Sequence, residues 1–266
     1  MPEPMLEVAP TRNWNPLSRE QFRKRYGPSN PLHTLLETLS ISDVCQVAND
    51  DFVGVLATDD WTSTVNGGTA FTRVANRPSG VVRGETGAVN AQDSRLYSDS
   101  ELVTANRRPV MIGRIGMNSA VTTSKFEFGF TDVIGAGAVL VKATPTSTAT
   151  DYAVIVRDTD DDVLVSMVTD GGTDTAGSVD PSPGLASAFA TQTWYNMMIA
   201  VNEVRECVYY VDGTFRGIRR AGPDATATLM LWVYIQTRDG ADRTLDVDFI
   251  KAWQERVPFS GNAFTT

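Results

Sequence analysis

The sequence predicts an all-β antiparallel sandwich behind a short, partly helical N-terminal arm. Three observations predict it. From Ile41 onward, short apolar stretches are separated by clusters of Gly, Asn, Asp, Ser, Thr and Pro, as in a chain of many strands joined by turns. Within those stretches apolar and polar residues alternate; in the last one Leu245, Val247 and Phe249 share one face and Thr244, Asp246 and Asp248 the other. With 266 residues, 42% of them apolar, the chain is long enough for one large β domain with a real core.

Residues 1–40 read as the arm, 41–256 as the sandwich and 257–266 as a tail. In the arm, Ser18 and Gln21 form a capping box that opens a short helix, which Gly27 and Pro28 end. A second short helix is expected from Pro31 to Leu39, with Asn30 as its cap and Leu32, Leu35, Leu36 and Leu39 as an apolar face. That face needs a partner, either the chain's own sandwich or another subunit. Arg12, Arg19, Arg23, Lys24 and Arg25 against Glu3, Glu7, Glu20 and Glu37 leave the arm mildly basic on an acidic body.

Further along, Phe126, Phe128 and Phe130 alternate with Lys125, Glu127 and Gly129, which places three rings on a core face. Tyr152–Arg157 and Val163–Val168 form a hairpin around the acidic turn Asp158 to Asp162. Tyr195, Met197, Ile199 and Val201 begin a second hairpin with Cys207, Tyr209 and Val211, followed by a turn at Asp212 and Gly213. Residues 227–235 are apolar almost throughout, as a central strand covered on both faces would be.

The formal net charge of −9 repels phosphate backbones, and no localised basic patch in the body offsets it, so no nucleic-acid partner is expected. No apolar run approaches the length of a membrane span, and the start lacks the pattern of an export signal. Cys45 and Cys207 both lie in apolar strand-like runs and are expected to be buried free thiols, with a disulfide as the alternative.

The run from Trp194 to Val201, then Cys207 to Gly213 with its Tyr-Val-Asp-Gly, then Thr228 to Tyr234, then Leu245 to Ile250 and Trp253, resembles the C-terminal half of concanavalin A-like lectin and laminin-G-like jelly rolls. Residues Asn49 to Phe52, with Trp61 and Gly67-Gly68 after them, look like the opening strand of such domains, which returns to pair near the C-terminal strand. The fold implied is a concanavalin A-like two-sheet jelly roll, one that serves lectins, hydrolases, adhesion modules and viral structural proteins alike.

With its arm and aromatic tail, the chain also looks like a tailed-bacteriophage structural protein. The function this implies is non-enzymatic: a capsid decoration or cement protein on the capsid exterior of the virion, made in the host cytoplasm. Its expected partners are the major capsid protein and itself, as a homotrimer. Trp14, Arg19, Phe22, Arg23, Lys24, Arg25 and Tyr26 of the arm, with Phe259 and Phe264 of the tail, are the expected clamp. The alternative is a carbohydrate-binding module of a phage tail fibre or tail tip, for which Trp61 is the candidate sugar platform, whereas Trp232 and Tyr234 belong to the core.

Catalysis is poorly supported. Glycosidases on this fold need two carboxylates flanking the scissile bond, and the nearest pattern, Asp246 and Asp248 followed by Lys251, lacks a third acid, so both are expected to be solvated. His33 is the only histidine and sits in the arm, which leaves no triad and no histidine-based metal site. No cofactor is expected. Calcium is the one ion to weigh, at Asp158, Asp160, Asp161 and Asp162 or at Asp170 and Asp174, but the spacing matches no calcium loop.

Overall fold

The computed structural model describes residues 44–53, 56, 60–77, 80–133, 138–141, 146–160, 165–170, 180–181 and 189–255. The helices expected in the arm, and the tail, lie outside these residues. The strands are Val44–Asp50 (β1), Trp61–Asn66 (β2), Thr69–Arg73 (β3), Val82–Glu85 (β4), Asp93–Ser98 (β5), Val103–Thr104 (β6), Val110–Met117 (β7), Ser124–Thr131 (β8), Leu140–Val141 (β9), Thr146–Ser147 (β10), Tyr152–Asp158 (β11), Val165–Asp170 (β12), Asp180–Pro181 (β13), Trp194–Val201 (β14), Cys207–Val211 (β15), Thr214–Arg219 (β16), Thr228–Thr237 (β17) and Thr244–Glu255 (β18).

Two antiparallel sheets hold most of them. The first runs β16-β15-β14-β7-β18-β4-β3, with β1 beside β18; the second runs β13-β12-β11-β8-β17-β5-β2, with β6 beside β17. The opening strand does return to the closing one, pairing Val44 with Glu255 and Asp50 with Ile250. Both expected hairpins form, and Asp212 and Gly213 take the two positive φ values (50° and 74°) that a tight turn between twisted strands requires.

The core lies between the sheets and follows the period of two. Met111, Ile115, Met197 and Ile199 face it from the first sheet, and Phe126, Phe128, Phe130, Leu231 and Val233 from the second. The closing strand departs from simple alternation. Its register with β7 shifts between Val247 and Phe249, so Leu245 and Val247 face the core, Phe249 turns outward, and Ile250 and Ala252 point inward again. One inserted residue flips every side chain beyond it, which is why Phe249 does not share the face of Val247 as expected.

Cys207 is a free, buried thiol; burial pushes its pKa up to about 12, against the lowering effect of the Thr169 hydroxyl 3.4 Å away. The connection from β17 to β18 is clamped by Asp239, whose carboxylate accepts from the Thr123 hydroxyl at 2.7 Å, the Ala241 N–H at 2.9 Å and the Arg243 guanidinium at 2.7 Å. These donors, Thr123 first, hold its pKa down at about 2 against an ordinary 3.8. The unfolded chain therefore binds this proton more tightly, so the stabilisation is complete above the ordinary value and disappears as pH falls through about 2. Chemical denaturation should show stability falling as pH drops from 4 towards 2, with a shallower fall in Asp239→Asn.

Candidate functional site

The outer face of the second sheet carries an ordered array of charged and aromatic side chains. Because Phe126, Phe128 and Phe130 take the core side of β8, Lys125 and Glu127 stand on its outer side, and the antiparallel register lines up neighbours across the sheet. Gln236 lies between Asp93 and Lys125, with Asp158 beyond Lys125; in the next row Tyr234 lies between Arg95 and Glu127; in the third, Trp232 lies between Tyr97 and Gly129.

Most of this face is covered. Ala138, Val139, Leu140 and Ala149, from the β9–β10 hairpin and its flanks, pack with Tyr152, Val154, Trp232 and Tyr234 into a second apolar cluster. Glu127 fastens that cover. Its carboxylate accepts from the Val139 N–H at 2.8 Å, the Leu140 N–H at 3.0 Å and the Trp232 indole at 2.9 Å, and pairs with Lys125 at 3.1 Å. Lys125 in turn donates to the Leu140 carbonyl. All of these groups are buried, so each charge is balanced and each hydrogen bond is shielded from water.

Around this centre the remaining ions are also paired. Arg95 grips Asp93 through two hydrogen bonds of 2.8 and 2.9 Å. Burial, followed by the negative charges of Asp93 and Glu127, pushes the Tyr234 phenol well above its usual range, so it stays a neutral donor. Asp158, expected in a solvated turn or as a calcium ligand, is buried instead. The two nitrogens of Arg238 bind its two oxygens, Nε to Oδ1 at 2.8 Å, and the Asp160 N–H approaches Oδ1 at 3.2 Å. Asp161, Asp162 and Asp174 lie outside the described residues, among which no group of three or more possible ligands is placed to hold a metal.

The sequence-based site residues fare unequally. Trp14, Arg19, Phe22, Arg23, Lys24, Arg25, Tyr26, Phe259 and Phe264 all lie outside the described residues. Trp61 is described, and its expected role as a sugar platform does not fit: it is 3% exposed, in the core, with its ring 5.9 Å from that of Phe52. At the start of β2 alternation turns it inward, and the polar residues Thr62 and Thr64 outward.

Asp246 and Asp248 do face away from the core, but they are not solvated. Asp246 accepts two hydrogen bonds from Arg83 at 2.5 and 2.8 Å, and Asp248 pairs with Arg114 at 3.0 Å. The bond to Asp246 is the main reason that the Arg83 pKa is raised. Asp246→Asn should cost about 1.5–3 kcal/mol in equilibrium unfolding, the loss of charge-assisted hydrogen bonds, without altering ligand binding on the opposite sheet.

No family model matches the sequence, and no curated protein matches it. Solved structures do match. The potassium-bound carbohydrate recognition domain of Emp46p superposes with a TM-score of 0.54 at 9% identity, covering 78% of this chain and 95% of that one. A carbohydrate esterase of the Shiga toxin-encoding bacteriophage phi24B gives 0.52 at 13%, covering 80% and 99%. The endo-β-1,4-glucuronan lyase of the fungus Trichoderma reesei gives 0.55 at 10%, covering 80% and 98%. The chain has the concanavalin A-like jelly-roll fold.

Within this jelly roll one margin of the array is only partly covered: the edge strand β2 reaches solvent at Asn66, whereas Arg95 and Tyr97 beside it are buried. On the edge strand β2, Thr62 stands opposite Tyr97, Thr64 opposite Arg95 and Asn66 opposite Asp93. Thr62 and Thr64 are half-buried and Asn66 is exposed. Thr62 donates to Asp99, while the buried Thr64 Oγ1 has no hydrogen-bond partner among the described residues. This strip sets hydroxyls, an amide and a paired guanidinium beside an aromatic ring. No single stretch of sequence marks it out, because it joins residues about thirty positions apart by strand pairing.

Proposed function

We propose that the chain is a non-catalytic carbohydrate-recognising module that binds a glycan along the partly open margin formed by β2 and β5. The observation that carries this reading is the strip of Thr62, Thr64 and Asn66 beside the buried Arg95 and Tyr97, exposed at Asn66 and with a buried Thr64 hydroxyl that has no partner among the described residues. Sugars present alternating hydroxyls and apolar C–H faces, which match a row of donors and acceptors next to an aromatic edge. The carbohydrate-handling proteins among the structures of the same fold support it as an analogy.

The non-catalytic part rests on the carboxylates. Glu127 and Asp158 are the acids nearest one another in register on the outer face, on adjacent strands with Lys125 beside both, and both spend their oxygens on fixed donors. An acid or base must instead point an oxygen at the proton that it moves.

A second reading, virion decoration with a major capsid protein and a homotrimer as partners, is favoured by one described feature: the edge strand β16 leaves Phe215 and Ile218 exposed, as subunit contacts often do. A glycan array with the full chain separates the two. Saturable binding that weakens about tenfold in Thr64→Val and Asn66→Ala supports glycan recognition, the size expected when one buried polar group loses its partner. A chain that binds no glycan and sediments as a trimer supports decoration.

A further inference from the structure

The first sheet ends on β16, and this edge differs from the one at the opposite end. Among the described residues β16 pairs with β15 alone, so about half of its backbone N–H and C=O groups point away from the sheet. At the other end, β3 exposes Thr69, Thr72 and Arg73, polar and charged groups of the kind that ordinarily guard an edge. β16 instead leaves Phe215 and Ile218 49% and 45% exposed.

These two side chains share one face although they are three positions apart. Tyr209 pairs with Gly217 but Tyr210 with Phe215, so Arg216 is an extra residue on β16. Phe215 and Ile218 therefore stand opposite Tyr210 and Val208, alternate residues of β15. Cys207, Tyr209 and Val211 face the core, which turns Val208, Tyr210 and their partners outward. The Phe215 ring meets that of Tyr210 edge-on, with centroids 5.8 Å apart. Arg219, opposite Cys207, takes the other side of the strand.

Charge marks the same edge. Residues 214–221 carry Arg216, Arg219 and Arg220 and no acid, in a chain of net charge −9. Arg216 and Arg219 also interact within the chain, and Arg220 reaches Glu206 at 3.5 Å with its side chain still 91% exposed. A second copy laid along β16 would bring two arginine-rich strips together, whereas an acidic strand meets them with opposite charge.

We propose that β16 is the docking edge for an extended acidic segment of a partner protein, which adds a further strand to the first sheet. Backbone hydrogen bonds supply the pairing, alternate apolar residues of the segment cover Phe215 and Ile218, and the carboxylates between them face Arg219 and Arg220. The bulge and the arginines discriminate against basic strands and against a second copy. The glycan margin lies on the other sheet and takes no part.

Fluorescence anisotropy with the full chain tests the proposal, using two labelled peptides about eight residues long, one alternating glutamate with valine and the other lysine with valine. The glutamate peptide should bind saturably and at least about tenfold more tightly than the lysine peptide, and less tightly as salt rises. Its binding should weaken about tenfold or more in the double variant Arg219→Ser, Arg220→Ser and in the double variant Phe215→Ser, Ile218→Ser. Hydrogen exchange should show the bound peptide slowing the amides of β16 and leaving those of β2 unchanged. If one double variant also loses protection in β14, the other decides. No binding, equal affinity for the two peptides, full affinity in the arginine variant, or protection away from β16 overturns the proposal. A concentration-dependent dimer that protects β16 without peptide assigns the edge to a second copy and overturns it too.

Discussion

Glu127→Ala should destabilise the protein by about 3–5 kcal/mol, read from the denaturant midpoint at constant slope. The carboxylate holds two backbone N–H groups of the covering hairpin, the Trp232 indole and the Lys125 ammonium in one buried centre. Its removal leaves Lys125 with less compensation in a dry site and strands three donors that water reaches only if the hairpin lifts. Glu127→Gln should recover part of the loss, because its carbonyl still accepts, but not the charge. A loss below about 1 kcal/mol for the alanine variant would mean that the hairpin is held by apolar contact alone.

Trp232→Ala should cost a similar amount, about 3–5 kcal/mol, since it empties a fully buried ring site. The ring lies between those of Tyr97 and Tyr234, with centroids 6.2 and 5.8 Å away, and its N–H ends on Glu127. Because the two residues share that hydrogen bond and one cover, the double variant should cost clearly less than the sum of the single ones. Full additivity would show that ring packing and the charged centre are independent.

What the sequence made legible was the two-faced alternation. The core rings of β8, the strands of both hairpins and the turn at Asp212 and Gly213, which joins β15 to β16, follow from local pattern and turn chemistry, whereas the pairing of the first strand with the last was implied by the family resemblance. The bulge was less visible, because Phe249 and Ile250 are both apolar and either could continue the inward series; only the pairing with β7 decides.

The site was mostly hidden for a different reason. Glu127 and Lys125 alternate with core rings as solvent-facing residues do, and their burial comes from a hairpin that begins about a dozen residues later. Asp158 reads as part of an acidic turn until Arg238, eighty positions away, is brought against it. Trp61 is only a candidate platform in the sequence because a lone tryptophan among polar residues carries no sign of which way its strand faces, and β2 turns it inward. The partly open strip exists only once β2 and β5 are paired.

Glycan recognition at that strip is tested most directly by the position of a bound oligosaccharide. Crystals of the full chain soaked with the tightest array-selected glycan should show a sugar ring against the edge of Tyr97, with hydroxyls in hydrogen-bond contact with Thr64, Arg95 and Asn66. A sugar bound at any other surface, or no glycan bound at all, would contradict the assignment.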